Sequence, residues 1–128
     1  MKSNAWFFGA MMGILLGAGV SAVHADTLTW TATTGHWFAV ENWTNGAQPE
    51  NTHVPAAGDD AVVNNAGAYV FLTNSTAILG SLSISNATLS FSNWDTLLSA
   101  TNVTIRKSGV LTCEGAFTNT AMSNRVNL

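Results

Sequence analysis

The sequence predicts an all-β chain, a parallel right-handed β-solenoid fragment, on three observations. Apolar residues sit two apart in short arms, as in "AVV" (Ala61–Val63) and "LSI" (Leu82–Ile84), which places them on one face of a strand. Pairs of such arms recur: "AVVNNAGAYV" (Ala61–Val70) overlays "LSISNATLSF" (Leu82–Phe91) at an offset of 21 residues, with Val63 on Ile84 and Val70 on Phe91. Small turn-forming residues separate the arms, at Asn65–Ala66, Asn86–Ala87 and Ser108–Gly109. Asn and Gly tolerate the left-handed conformation that a sharp corner needs.

Taken in chain order, the first segment is a leader. Lys2 provides a positive start, "WFFGAMMGILLGAGV" (Trp6–Val20) an apolar core, and Val23 and Ala25 the small residues read by a signal peptidase, so cleavage is expected after Ala25. The apolar run is shorter than the ~20 residues of a membrane-spanning helix. Residues 1–25 therefore read as a signal peptide, with membrane contact only during export. The mature chain, Asp26–Leu128, keeps Arg106, Lys107 and Arg125 against seven acidic residues. That balance leaves no basic patch to offset phosphate and argues against a nucleic-acid partner. With Cys113 as the only cysteine, no internal disulfide can form. The alternation around Cys113 places it inside.

Residues 26–60 form a Trp-rich segment, "TWTATTGHWFAVENWTNGAQP" being its centre. Trp30, Trp37 and Trp43 have two readings. They close the open end of a stacked core, whose unpaired edge would otherwise invite other chains, or they present flat rings to a sugar. Trp94, in "SNWD", falls between repeats and is the better candidate for an exposed aromatic.

Residues 61–128 carry about three repeats. The third, "VTIRKSGVLTC" (Val103–Cys113), keeps the offset at Val103 and Ile105 and then slips by one, so that Leu111 and Cys113 match Leu89 and Phe91. A fourth begins at "VNL" (Val126–Leu128), and the chain reads as truncated there. Stacked coils would share one core that no single coil could bury. Two alternatives suit parts of the pattern. An antiparallel β-sandwich shares the regular turn spacing. A leucine-rich repeat nearly fits "LGSLSISN" (Leu79–Asn86), but its asparagine comes one residue early and no helix-forming segment follows.

The order Trp, Gly-x-Trp, Asn-Trp, Pro, Gly-Asp, then an apolar strand ("TWTATTGHWFAVENWTNGAQP" followed by "PAAGDDAVV") resembles the opening of bacterial secreted or surface β-helix proteins of the autotransporter-passenger kind. The resemblance covers Thr29–Val63 and implies an architecture and a secreted or cell-surface location. It carries no chemistry. "ENTHV" (Glu50–Val54) lengthens the gap between Pro49 and Gly58 relative to that pattern.

Residues able to do chemistry are few, and no catalytic, cofactor-binding or metal-ligating set is expected. His36 and His53 lack a metal-ligand spacing and read as surface or capping histidines. In "GDD", Asp59 and Asp60 would point to opposite faces, with a turn carboxylate accepting backbone N–H groups. With Glu50 they could supply some calcium ligands, but no ligand loop is evident. Asp95 and Glu114 are not brought together by anything in the sequence, and Arg106–Lys107 reads as a solvated turn. Asn42, Asn74, Asn86 and Asn102 head N-x-Ser/Thr triplets, expected to be unmodified in a bacterial protein. The functional expectation is a non-enzymatic, adhesin-like surface module. Its partner would be cell-surface or extracellular polysaccharide, and its open end could self-associate. The alternative is a non-catalytic, glycan-binding part of an extracellular polysaccharide-active protein.

Overall fold

The computed structural model describes residues 25–93, 95–113 and, for the backbone alone, 126–127. The leader residues 1–24, Trp94 and Glu114 lie outside the described residues. Among the described residues there are ten strands: β1 (Thr27–Trp30), β2 (Thr34–His36), β3 (Trp43–Asn45), β4 (Asp60–Val63), β5 (Tyr69–Leu72), β6 (Ile78–Ser85), β7 (Thr88–Phe91), β8 (Leu98–Arg106), β9 (Val110–Cys113) and β10 (Val126–Asn127). Two short 3₁₀ turns, Val40–Asn42 and Pro49–Asn51, flank β3. No helix among the described residues is long and apolar enough to cross a membrane.

The strands form two sheets. One has six strands in the order β10-β8-β6-β4-β1-β3, the other four in the order β2-β5-β7-β9. This corrects the expected class. The first sheet is mixed, the second is parallel, and no closed or solenoid sheet is formed among the described residues, so the β-solenoid fragment is not what the strands show. The antiparallel sandwich fails as well, because every pairing is parallel except β1 with β3. The physical reason is that a repeat reports which residues face inward and how far apart paired strands lie. It does not report how a sheet closes. Here the segment after β2 folds back, and β3 lies antiparallel on the outer edge of β1, opposing Trp30 to Trp43.

The register confirms part of the repeat and corrects part of it. In the six-stranded sheet the offset of 21 holds: Ala61 pairs with Leu82 and Val63 with Ile84, then Leu82 with Val103 and Ile84 with Ile105. In the four-stranded sheet Val70 pairs with Leu89 and Leu72 with Phe91, an offset of 19 instead of 21. The turn between β4 and β5 is longer than that between β6 and β7. It bends at Gly67 (φ 75°), whereas the shorter one bends at Asn86 (φ 52°). The third turn has positive φ at Lys107 and Ser108. These corners bond to one another: Gly67 N–H donates to Asn86 O at 2.7 Å, and Asn86 N–H to Lys107 O at 2.8 Å. The slip read in the third repeat matches the pairing of Leu89 with Leu111 and Phe91 with Cys113.

The inward residues of both sheets make one core that includes Leu28, Val63, Val70, Leu72, Leu82, Ile84 and Leu89, all fully buried. Each such side chain contributes roughly 1.5–3 kcal/mol of burial. Cys113 is half-buried and packs against this core. Ile105 is exposed, whereas its partner Ile84 is fully buried, so the inward reading of the third repeat does not hold at that position.

Gly80 marks a close approach. A Cβ built there would lie 2.5 Å from the Gly58 carbonyl oxygen, a backbone atom that cannot swing away. Gly80→Ala is therefore expected to lower stability by about 1–3 kcal/mol, the range for overpacking, with urea unfolding as the measurement.

Candidate functional site

Three places gather the residues that could act. The first is the tryptophan cluster. Trp30 and Trp43 face each other across the antiparallel pair, and Trp37 follows β2. Trp43 is the hub: its ring lies edge-on to Trp30 at 5.2 Å and to Trp37 at 4.7 Å between centroids. All three are buried, at 1, 0 and 3% exposure for Trp30, Trp37 and Trp43. Trp43 Nε1–H donates to Trp37 O at 2.7 Å and Trp30 Nε1–H to Ala32 O at 2.6 Å. Trp37 Nε1 has no acceptor among the described residues. Rings enclosed to this degree cannot stack on a sugar while the chain is folded, so their part in the structure is packing.

The second place is polar and was not legible beforehand. Asp26 precedes β1, Asp59 precedes β4, and His53 lies on the connection between β3 and β4. Parallel pairing of β1 with β4 brings the two aspartates together, since Asp60 N–H donates to Asp26 O at 2.8 Å. Asp59 accepts the Asp26 N–H on Oδ1 (3.0 Å) and the Ala56 N–H on Oδ2 (2.8 Å). The turn role expected of Asp59 is thus what its carboxylate performs. His53 Nε2 lies 3.1 Å from Asp26 Oδ2, and Asn51 Nδ2 donates to the same oxygen at 2.7 Å. His53 Nδ1 lies 2.9 Å from Val54 O and 3.6 Å from Asp59 Oδ2. Asp60, on the opposite face, accepts from Ser81 Oγ at 2.6 Å.

Asp26, His53 and Asp59 each offer one atom within 4.8 Å of the others, a spacing that a metal could span. The hydrogen bonds give the trio a different use. A carbonyl and a carboxylate only accept, so the arrangement suits a His53 ring protonated on both nitrogens, and when it is so the imidazolium is itself the cation between two carboxylates. A metal would need a lone pair on that ring. The pKa of His53 is raised above its usual 6.5, first by the hydrogen bond to the Val54 carbonyl, then by that to the Asp26 carboxylate; burial opposes them, and the charges of Asp59 and Asp26 add smaller upward contributions.

The third place is the outer face of the four-stranded sheet. Tyr69 and Phe71 on β5 have ring centroids 5.0 Å apart, and His36 on β2 lies 5.6 Å from Phe71. Tyr69 and Phe71 are half-exposed and His36 is exposed, with Thr34 and Thr88 flanking Tyr69 in the pairing. Alternation along "YVFL" was the available signal, because it turns Val70 and Leu72 inward and both aromatic rings outward. The tryptophans drew the sequence reading away from it. Of the other candidates, Asp95, Arg106 and Lys107 are exposed, while Trp94 and Glu114 are outside the described residues. No protein-family model, curated protein or solved structure matches this chain.

Two outcomes are expected. Trp43→Ala removes the hub of the ring cluster and should cost roughly 3–5 kcal/mol in chemical denaturation. For His53 the folded pKa is raised, so its stabilising contribution is complete below pH 6.5 and lost as pH rises through the folded value. The melting temperature should fall across that window in the parent protein, and His53→Gln should flatten that part of the profile.

Proposed function

We propose that this chain is a non-enzymatic, exported, adhesin-like surface module, serving as a structural or binding stalk at a bacterial cell surface. The observation that supports this best is what the two sheets keep and what they present. All three described tryptophans and the aliphatic core from Leu28 to Leu98 are turned inward, while Phe38, Val40, Ile78, Ile105 and Val110 stay exposed. The outer face of the six-stranded sheet carries short polar residues in register, in the row Thr27–Asp60–Ser81–Asn102 and, interrupted by Val62, in the row Thr29–Val62–Ser83–Thr104. Such a surface suits an extended scaffold in water. The leader-like start and the Trp/Asn-Trp/Gly-Asp opening, with its resemblance to bacterial secreted and surface proteins, support the location.

A second reading, glycan binding within an extracellular polysaccharide-active protein, is favoured by one observation. The Tyr69–Phe71–His36 face is aromatic, partly exposed and bordered by hydroxyls, a surface that can lie against the apolar face of a sugar ring.

Fractionation of a bacterium expressing the full chain, with protease added to intact cells, tests the first reading. The protein should be found in the medium or be cleaved from the surface, and retention in the cytoplasm would overturn it. An oligosaccharide array tests the second. Binding should drop at least about ten-fold in Phe71→Ala, as expected for loss of an aromatic anchor, and binding indifferent to Phe71 and Tyr69 would remove it.

A further inference from the structure

The chain enters its fold at one bond. Ala25 is exposed, whereas Asp26 is 8% exposed, and the nitrogen of Asp26 sits 3.0 Å from Oδ1 of Asp59, itself 3% exposed. This is also the bond at which the leader reading places cleavage. In the uncut chain the nitrogen is an amide, and the cluster brings two carboxylates, Asp26 and Asp59, to the imidazole of His53.

We propose that the Ala25–Asp26 bond is a processing site whose product is a structural ion pair: cutting it converts the Asp26 nitrogen into an ammonium that binds the Asp59 carboxylate already 3.0 Å away. The proposal rests on the exported reading of the chain. The step is a hydrolysis by an endopeptidase of the leader-cleaving kind. The C–N bond breaks, the hydroxyl of water goes to the Ala25 carbonyl, and its hydrogen goes to the Asp26 nitrogen, which takes a further proton from solvent. An ammonium has three donors where the amide had one. One keeps the bond to Asp59 Oδ1, and the others point to the side Ala25 has left. A charged donor also makes the stronger hydrogen bond. The new terminus thus adds a cation beside the carboxylates of Asp26 and Asp59 and the imidazole of His53. Asn51 adds a neutral donor to Asp26, and Asp60 is turned to the other face, where it is bonded to Ser81. Processing would therefore stabilise the mature chain as well as release it from its leader.

The mature chain has only two amines, the new terminus and Lys107, which is exposed and serves as an internal reference. The experiment is to express the full-length chain with its leader in an exporting bacterium and establish the N-terminus of the product by mass spectrometry. The amines are then acetylated with an activated ester at neutral pH, in the native state and in denaturing urea. The terminus should be Asp26, and its labelling relative to Lys107 should be about ten-fold lower in the native protein, because an ammonium paired with a carboxylate gives up its proton less readily. In Asp59→Asn that protection should largely disappear. If that variant does not fold, the native-against-denatured comparison in the parent protein decides alone. A product still carrying its leader would overturn the exported reading and this inference together. A terminus at another residue, or a terminus at Asp26 labelled equally in both states, would overturn the inference and leave the exported reading standing.

Discussion

No strand in this protein can bury its own apolar side chains, and everything else follows from how that constraint is met. A strand such as β4 offers only Ala61 and Val63 to the interior. These residues are enclosed because β6 lies beside them in parallel register and β8 beside β6, while β5, β7 and β9 do the same in the second sheet. The two inner faces then share one core. Neighbouring segments are thus mutually dependent, as in other chains whose units contact mainly their sequence neighbours. The corners take part too, since Gly67, Asn86 and Lys107 exchange backbone hydrogen bonds between successive turns.

The beginning of the chain meets the constraint by different means. β1 has β4 on one side, and its other edge would be open but for β3, which turns back to pair antiparallel and brings Trp43 against Trp30. Bulky rings fill the space that further inward aliphatics fill elsewhere, and indole N–H groups of Trp30 and Trp43 bond to nearby carbonyls. The polar cluster stands at the same end. Asp26 and Asp59 precede two paired strands, and the long connection carrying Asn51 and His53 folds over them. This end is therefore held by aromatic packing on the inside and by charge on the outside. The rest depends on aliphatic burial and ladder hydrogen bonds.

The division of labour between the faces bears on function. The three described tryptophans are interior, and the aromatic rings outside include Phe38, Tyr69 and Phe71. Fold alone identifies no ligand.

The sequence by itself determined the inward residues of the first two repeats, that the arms are strands, and that β4, β6 and β8 pair at an offset of 21 residues, because side-chain alternation and turn chemistry are local properties of the chain. It also marked Asp59 as a turn carboxylate. It misjudged the class of architecture and the offset in the smaller sheet. Both depend on the lengths of the corners and on the direction in which β3 returns, and these are settled only when the strands assemble. Only the tertiary structure decided that three tryptophans converge, that Tyr69 and Phe71 share an outer face with His36, and that Asp26, His53 and Asp59 meet. The reason is physical. Asp26 and His53 are 27 residues apart with no periodic relation, and their contact is made by the pairing of β1 with β4 and by a loop whose path no local pattern encodes.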